Sequence, residues 1–492
     1  MGNPSWFNLY SKLPVPAQNL CCTIAGLKRR RERYNRTFHD VRAFLEQSQW
    51  WPFEQQCELQ NEKLRELIRH AYASTPYYRE IMDARSLRPD DIQCVEDLPK
   101  LPLLDKETTR QRGAEMVSTT WPAKRIYPWT TGGTTGTALK LSVDRDAIPW
   151  RFAVWWRHRG RFGLKPHDPY VNFLGRAVVS RKCMKPPFWR RNYALNQTMV
   201  SVHHMTRDNL PYLVDYLQQR QVAYYAGYPS GLYLLAAYLL EHDIHLDHPP
   251  RICSTGAESV LPHIRETIES GLDTEVADQY GAAEGVGNIS QCERHFYHVD
   301  MEFGIIEFLP IEGMPSNVRR VVATGLRNPA MPLIRYEIGD VVTLADRPCP
   351  CGRQAPAVLS IDGRIESFIV TPDGRQLGRL NFLFKQTATI KEAQLIQEVP
   401  DRLLVKIVRH PAYSQKDEDD LRADIHSYVG SQMHIDFEYT ESIPREPNGK
   451  LRMVVSKVAG VAPRHRARGG SQSNTSVAKS ERSSSDSNTQ RS

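Results

Sequence analysis

The chain has 492 residues, more than one hydrophobic core usually serves, so two or three domains are expected. With 40% apolar and 24% charged residues it is neither fibrous nor collagen-like, and nine scattered cysteines predict a reducing, cytoplasmic location. The net charge is +8, but the tail after Gly460 holds six basic and two acidic residues, which is half of this excess. The body is only mildly basic, which argues against specific nucleic-acid binding.

No segment predicts a membrane span. The longest apolar run, Gly231 to Leu240, is shorter than the about 18 residues that a span requires, and it predicts a buried core helix. The first six residues have neither the basic nor the apolar region of a signal peptide and predict neither export nor lipidation. The basic run Arg29–Arg31 and the tail leave peripheral membrane contact open, beside the simpler interpretation as solvated charge.

The predicted elements indicate an α/β fold. Apolar residues at helical spacing from Arg36 to Ala84 predict amphipathic helices. Short strands then alternate with helical segments, at residues 170–174, 223–226 and 251–254, each followed closely by glycine. This alternation predicts a large domain with a mainly parallel sheet, whose ligands gather where the strands end.

The second half of the chain changes character twice. Alternating strands and turns from Val299 to Leu344 predict a β-rich subdomain. A smaller α/β block with its own core extends to Val458, and the polar tail from Arg464 onward predicts disorder. The predicted division is a helical N-terminal segment of the large domain at 1–84, the rest of the large domain at 85–364, a small α/β domain at 365–458 and a basic, Ser-rich tail at 459–492.

A run of threonines and glycines from Thr130 to Lys140 predicts a phosphate-binding loop. Glycines let backbone N–H groups turn toward an anion, hydroxyls add donors, and the lysine adds positive charge. The candidate ATP-binding residues here are Thr130, Thr131, Gly132, Gly133, Thr134, Thr135, Gly136 and Lys140. Leu139 and Leu141 flank the lysine, so the run is not a Walker motif, and kinase or GTPase function is disfavoured. A polar surface loop is the alternative.

Five further motifs follow this loop in a fixed order. They are Ser254–Glu258, Gln279–Gly285, Arg335–Asp340, Gly363–Glu366 and Pro444–Lys450. Together the six motifs resemble the adenylate-forming superfamily of acyl-CoA synthetases, luciferases and peptide-synthetase adenylation domains. The resemblance rests on their joint order. It implies ATP and acyl sites within residues 85–364 and a mobile lid at 365–458.

A narrower resemblance, from about Leu9 to Ser456, is to the phenylacetate-CoA ligase branch, and within it to the CapK-type proteins associated with capsular polysaccharide biosynthesis. It rests on Tyr10–Leu13 with Gln18-Asn19, His70–Tyr72 followed by Pro76–Arg79, Cys349–Arg353 and Thr371–Arg375. These segments suggest no chemistry for the substrate.

The resemblance implies roles for individual residues. Tyr280 offers an aromatic face to the adenine, and Asp340 accepts hydrogen bonds from the ribose. Glu284 helps to hold Mg²⁺, which prefers hard oxygen ligands. Lys450 stabilises the charge that develops as a carboxylate attacks the α-phosphate. The remaining implied residues are Gly256, Ala257, Glu258 and Gly281 near the base, Arg364 beside the ribose, and Glu366 at the hinge, where the family more often has aspartate.

A separate signal comes from sulfur. Cys292, His298, Cys349 and Cys351 form a Cys₃His set whose ligand types suit a structural zinc site. His295 is an alternative to His298. The spacing of Cys349 and Cys351 is tighter than usual, and buried free thiols in a reducing compartment are the competing interpretation.

The resemblance implies an adenylate-forming ligase of the acid-thiol type. Such an enzyme uses ATP and Mg²⁺ to convert a small carboxylic acid to an acyl-adenylate, with release of pyrophosphate. The acyl group then passes to coenzyme A or to another thiol, amine or hydroxyl, in polysaccharide or cell-surface glycan biosynthesis. A non-catalytic nucleotide-binding or assembly protein of such a pathway is the rival interpretation, although it has no need for Lys450 or Glu284.

Overall fold

The computed structural model describes most of the chain up to residue 458. The described residues are 4–130, 139–174, 178–180, 182–206, 208–257, 260, 262–311, 316–361, 369–373, 376–377, 389–409, 412–441, 443 and 454–458. Residues Met1–Val461 form one compact unit. A second unit, Ala462–Ser492, lies outside the described residues, and so does the predicted disorder of the tail.

The helices begin close to the N-terminus. They are α1 Pro4–Ser11, α2 Val15–Arg33, α3 Arg36–Ser48, α4 Phe53–Ser74, α5 Pro76–Asp83, α6 Lys106–Arg112, α7 Ala147–Arg161, α8 Leu210–Gln218, α9 Pro229–Glu241, α10 Pro262–Leu272 and α11 Gln415–Val429. The helices predicted between Arg36 and Ala84 are thus present as α3, α4 and α5. Asn35 caps α3 by accepting a hydrogen bond from the backbone N–H of Phe38.

The strands form one large sheet and three smaller ones. They are β1 Ile126–Thr130, β2 Lys140–Asp144, β3 Tyr170–Leu174, β4 Trp189–Asn192, β5 Gln197–Ser201, β6 Tyr224–Gly227, β7 Ile252–Gly256, β8 Glu275–Gly281, β9 Asn288–Gln291, β10 Tyr297–Val299, β11 Gly304–Pro310, β12 Val318–Gly325, β13 Tyr336–Leu344, β14 Ala357–Ile361, β15 Ile369–Val370, β16 Gln376–Leu377, β17 Ile390–Val399, β18 Arg402–Arg409, β19 His434–Tyr439 and β20 Val454–Ser456.

The large sheet has twelve strands in the order β11-β12-β13-β14-β10-β9-β8-β7-β6-β3-β5-β4. Strands β8, β7, β6, β3 and β5 are parallel neighbours, which confirms the predicted parallel strands near residues 170, 224 and 252. The β-rich segment predicted from Val299 joins this sheet through antiparallel pairs. The sheet is therefore mixed, with the parallel strands grouped together.

Helices cover both faces of the parallel strands. Successive strand residues point to opposite faces, so Tyr225 and Cys253 pack with α8, α9 and α10, while Tyr224 and Ile252 pack with α3 and α7. The apolar run from Gly231 forms α9, in which Leu232, Leu235 and Leu239 are fully buried, as expected of a core helix. In the part of the chain that the structure describes, no helix is long and apolar enough to cross a membrane.

A smaller sheet near the C-terminus has the order β19-β18-β17-β20. Its residues Leu395, Leu403 and Val405 form a separate core with Leu421 and Ile425 of α11. The strand predicted at residues 403–408 and the helix predicted at 418–429 are therefore present, as β18 and α11.

Helix α2 contacts the large sheet through polar side chains. It packs against β4, the last strand in the order, and against the short helix Tyr193–Leu195. Three hydrogen bonds connect them: Gln18 Oε1 accepts from Arg190 Nε (2.5 Å), Asn19 Oδ1 from the Arg191 N–H (2.9 Å) and Thr23 Oγ1 from the Tyr193 N–H (3.2 Å). The polar side of this helix thus faces the protein.

A buried ionic cluster joins α7 to the turn between β10 and β11. Arg157 donates to Asp300 at 2.5 Å and to Glu302 at 2.7 Å, and all three side chains are at most 2% exposed. Burial alone would raise the pKa of Glu302, but the guanidinium and its hydrogen bonds lower it below the usual value. Arg161 also approaches Asp300, at 3.9 Å. The cluster therefore holds α7 against the turn between β10 and β11.

Candidate active site and cysteine cluster

Tyr280 and Asp340 meet at the side of the sheet where β8 ends. The Tyr280 hydroxyl donates to Asp340 Oδ2 at 2.7 Å, although the two residues are 60 positions apart. Both side chains are half-buried, so they remain accessible from solvent. The structure thus brings together the residues that the motifs assign to the adenine and the ribose.

Glu284 lies in the turn that follows β8. A backbone hydrogen bond from Gly285 to Ala282 closes this turn, and Gly285 has a φ of +77°, a conformation that glycine adopts without strain. Glu284 Oε1 accepts a hydrogen bond of 3.3 Å from the hydroxyl of Tyr336, the buried first residue of β13. Two tyrosine–carboxylate hydrogen bonds therefore connect β8 and the turn after it to β13. Their partners on β13, Tyr336 and Asp340, are four residues apart along that strand.

The end of β7 approaches β8 closely. Gly256 pairs with Gln279, and a Cβ at Gly256 would lie 2.8 Å from the Gln279 carbonyl oxygen, so only glycine fits without displacing backbone. Ala257 has a φ of +70°, which costs a non-glycine residue about 1–2 kcal/mol. Gly281, at the end of β8, is exposed. Backbone is therefore accessible at the end of two neighbouring parallel strands, where α/β proteins bind ligands.

Buried Asp278 fixes the spacing of these strands. It accepts hydrogen bonds from Thr255 Oγ1 at 2.7 Å and from the Tyr297 hydroxyl at 3.0 Å, so β7, β8 and β10 share one carboxylate. Burial raises the pKa of Asp278, and the two hydrogen bonds oppose that shift. Since Asp278 is buried, we assign it a structural role.

The two ends of the threonine–glycine loop are held together. Thr130 and Lys140 pair directly as the last and first residues of the antiparallel strands β1 and β2, and both are exposed. Several predicted site residues lie outside the described residues, namely Thr131, Gly132, Gly133, Thr134, Thr135, Gly136, Glu258, Arg364, Glu366 and Lys450.

The four predicted sulfur and imidazole ligands form one cluster. The ligand atoms of Cys292, His298, Cys349 and Cys351 all lie within 4.8 Å of one another. Cys292 Sγ is 3.5 Å from Cys349 Sγ, and Cys351 Sγ is 3.4 Å from His298 Nε2. Ligands of a tetrahedral zinc ion with bonds of about 2.0–2.3 Å would be separated by roughly 3.5–3.8 Å, so the cluster has suitable dimensions.

The groups around the cluster orient its ligands. His298 Nδ1 is 3.1 Å from the Ala355 carbonyl oxygen, which can only accept, so Nδ1 carries the hydrogen and Nε2 faces the thiols. The backbone N–H groups of Arg294 and Arg353 donate to Cys292 Sγ at 3.4 Å and to Cys351 Sγ at 3.5 Å. His295, the alternative ligand, is exposed and is not part of the cluster.

Arg353 connects the cluster to the N-terminal helices. Its guanidinium pairs with Glu293 at 3.0 Å, donates to Gln49 Oε1 at 3.0 Å and lies 4.4 Å from the ring centre of Trp50. Gly352, with a φ of +89°, provides the turn between Cys351 and Arg353. The connection between β13 and β14 is therefore attached both to the sheet and to the segment after α3.

Comparisons with known proteins found relatives that match most of the chain. A family profile described as the CapK C-terminal domain matches residues 369–457. Protein CapK of Staphylococcus aureus is 25% identical over 459 residues, which cover 92% of this chain and 99% of that protein. The phenylacetate-coenzyme A ligase of Thermus thermophilus is 23% identical over 438 residues, which cover 82% of this chain and 97% of the ligase. The chain is thus similar to CapK and to a phenylacetate-coenzyme A ligase over most of its length.

A solved structure has a similar fold. The crystal structure of 2-hydroxyisobutyryl-CoA ligase in complex with 2-HIB-AMP and CoA aligns with a TM-score of 0.55 and 17% identity, over 83% of this chain and 91% of that one. At this identity the likeness concerns the fold alone. It confirms the predicted α/β architecture, with a large and a small α/β part.

Arg151 is a candidate site residue that sequence reasoning missed. Its guanidinium lies 5.0 Å from the ring centre of Trp129, donates to the Ala283 carbonyl at 3.4 Å and approaches Gly285 closely. Burial lowers the pKa of Arg151 to about 10 and Glu284 opposes the shift, so the side chain stays charged at neutral pH. It connects the strand before the loop to the turn of Glu284. A lone arginine on a helix gives no sequence signal of such a position.

Proposed function

We propose that this protein is an ATP-dependent acid–thiol ligase that works through an acyl-adenylate. A carboxylate oxygen of the acid attacks the α-phosphorus of ATP, and the bond to the bridging oxygen breaks, so that pyrophosphate leaves. The thiol sulfur of coenzyme A then attacks the acyl carbon, AMP leaves, and the thiol proton is released. The named activities of the related phenylacetate-CoA ligases support both steps.

The observation that carries the proposal is the pair of bonds from Tyr280 to Asp340 and from Tyr336 to Glu284. They hold two carboxylates near an aromatic face and near the exposed backbone at the end of β8. Asp340 suits the ribose hydroxyls, because a carboxylate accepts two hydrogen bonds. Glu284 is half-buried and offers the hard oxygen that Mg²⁺ prefers, and a bound Mg²⁺ would offset phosphate charge.

The positive groups have complementary roles in this proposal. The loop between Thr130 and Lys140 would bind the β- and γ-phosphates, which depart as pyrophosphate. Arg151 holds the strand before that loop close to the turn of Glu284, through its contacts with Trp129 and Ala283. Lys450 would meet the α-phosphate from the small lid at 365–458, which turns about Glu366.

The acceptor and the pathway are the finer part of the proposal. Coenzyme A is the first choice, since related proteins are named as coenzyme A ligases. The CapK-type resemblance supports a place in polysaccharide or cell-surface glycan synthesis, where an amine or hydroxyl of a sugar could accept the acyl group. A cytoplasmic location, with its supply of ATP, fits either acceptor.

Pyrophosphate release with ATP, Mg²⁺ and a panel of small carboxylic acids tests this function. We expect at least one acid to support release, and Asp340→Asn to raise the KM for ATP by roughly tenfold to hundredfold, because a hydrogen bond to a charged group is worth about 1.5–3 kcal/mol. The variant is measured with the acid that gives the fastest release.

Glu337→Gln is the matched control, because Glu337 lies on the same strand but pairs with Arg320 at 2.8 Å. Its KM for ATP should equal that of the wild type. If no acid supports release, the protein is better described by the rival hypothesis of a non-catalytic nucleotide-binding protein. An unchanged KM in Asp340→Asn would remove Asp340 from the ATP site.

We further propose that Cys292, His298, Cys349 and Cys351 bind a structural zinc ion. Three thiols and one imidazole are a closed donor set with no place for substrate. The support is the distances among the ligand atoms, the orientation of His298 and the backbone N–H groups that donate to two of the sulfurs. The ion would join the β9–β10 hairpin to the connection before β14.

Metal analysis of the purified protein is expected to find roughly one zinc per chain. The double variant Cys349→Ser, Cys351→Ser should lose the metal, because serine is a poor zinc ligand, and should melt at a lower temperature. Cys57→Ser, which changes a thiol outside the cluster, should retain both zinc and melting temperature. Zinc-free wild-type protein, or a double variant that keeps its zinc, would contradict the assignment.

A further inference from the structure

The first two helices expose large apolar side chains. Leu20 and Ile24 of α2 are each 59% exposed and Leu27 is 49% exposed, and their spacing of four and three residues places them on one face of the helix. Helix α1, which packs against α2, exposes Trp6 and Leu9 by 59% and 63%. We call these five residues the N-terminal apolar surface.

The polarity of α2 is the reverse of that expected for a helix on a protein core. Ordinarily the apolar side packs inward and the polar side meets water. Here Gln18, Asn19 and Thr23 make the contacts with β4 and the chain after it, so the apolar side points away from the sheet. Burial in the described unit therefore does not account for the apolar residues of this helix.

Positive charge accompanies this face. Lys28, Arg30 and Arg31 are exposed at the end of α2, and Arg31 continues the line of Leu20 and Ile24 along the helix. Within the first 35 residues the chain has six lysines and arginines but a single acidic residue, Glu32. An apolar helix face bordered by cations is the pattern of a helix that lies in the interface of an anionic membrane.

We propose that α1 and α2 attach the protein to the surface of an anionic lipid bilayer. The apolar residues would enter the boundary between headgroups and acyl chains, while Lys28, Arg30 and Arg31 contact lipid phosphates. Pairing with a second copy of the chain is disfavoured, because two such surfaces would bring like charges together. The attachment is peripheral, since no described helix meets the requirements of a membrane span.

Sedimentation of the full-length protein with vesicles tests this attachment. We expect binding to vesicles of phosphatidylcholine with phosphatidylglycerol, at least about tenfold weaker binding to phosphatidylcholine alone, and release as salt is raised. The double variant Leu20→Glu, Ile24→Glu should bind anionic vesicles at least about tenfold more weakly than the wild type. The triple variant Lys28→Glu, Arg30→Glu, Arg31→Glu should show the same loss. The changed side chains face outward, so melting temperatures should match the wild type.

Two controls separate this surface from other sources of binding. Leu240→Glu changes an exposed leucine of α9 and should leave vesicle binding unchanged. Arg464→Gln, Arg466→Gln, Arg468→Gln removes charge from the tail and should also leave it unchanged. The proposal is overturned if wild-type protein does not sediment with anionic vesicles, if the tail variant abolishes binding, or if light scattering finds a dimer that Leu20→Glu, Ile24→Glu dissociates. None of these measurements depends on ligase activity.

Discussion

Replacing Lys450 with alanine is expected to slow acyl-adenylate formation by about 10²–10³-fold. The lysine is assigned to the charge that builds up at the α-phosphate, and loss of one such stabilising donor typically costs this much. The measurement is pyrophosphate release at saturating ATP and acid, so that weaker substrate binding does not contribute. Lys450 lies outside the described residues, and the expectation rests on its place at the end of the ordered motifs.

Lys457→Ala provides the matched control for this lysine. Lys457 is exposed seven residues later and pairs with Glu398 at 2.7 Å, so its loss should leave the rate unchanged. A second control supplies the acyl-adenylate ready-made with coenzyme A. The Lys450→Ala variant should transfer this acyl group at nearly the wild-type rate. Unchanged pyrophosphate release in Lys450→Ala would remove this lysine from the first half-reaction.

Arg157→Met should lower the free energy of unfolding by about 3–5 kcal/mol, because removing one partner leaves buried charge uncompensated. Glu302 then loses the guanidinium that its carboxylate contacts and keeps only the more distant charge of Arg327, whereas Asp300 keeps Arg161 at 3.9 Å. In the wild type the pKa of Glu302 is depressed. Its contribution to folding stability is therefore fully present above the pKa of about 4.3 in the unfolded chain, and it is lost as the pH falls through the lower pKa in the folded protein. In the variant, burial should raise the pKa of Glu302. The difference in the free energy of unfolding between wild type and variant should therefore be smaller at about pH 5 than at about pH 8.

Urea denaturation at both pH values measures this effect. Arg36→Met is the control, because Arg36 and Asp40 form a surface pair with side chains 95% and 67% exposed, and such pairs contribute about 0–1 kcal/mol. If Arg157→Met proves no more destabilising than Arg36→Met, the buried cluster does not hold α7 in place. A difference that grows toward pH 5 would contradict the assignment of charge to Glu302.

Local pattern sufficed to predict many individual elements. The strand at Tyr170–Leu174 has the predicted ends, and those near Tyr224 and Ile252 differ by one or two residues. Each is a short apolar run that ends close to glycine, so neighbouring residues suffice to predict where the strand begins and ends. The order of strands in the sheet is different, because pairing across long sequence separations leaves no local signal. The sequence therefore did not reveal that β10 and β14 join the β-rich segment to the parallel strands.

The site divides in the same way. Tyr280, Glu284 and Asp340 could be proposed from sequence because each lies in a motif whose order carries information, and their roles stay predictions. Arg151 and Tyr336 are candidates only because of their contacts in space with Trp129 and Glu284, and neither is distinguished by its neighbours in the chain. The sequence leaves His295 as an alternative to His298 as the candidate zinc ligand, and only the fold separates the buried His298 from the exposed His295.

Helix α2 also protects an open side of the large sheet. Strand β4 is terminal, and terminal strands offer unpaired backbone groups to which another chain can add by β-pairing. Asn19 and Thr23 accept hydrogen bonds from the backbone N–H groups of Arg191 and Tyr193. These N–H groups are therefore not free to pair with an incoming strand. Loss of the first 33 residues would therefore uncover a template for aggregation, even though it removes no residue of the proposed active site.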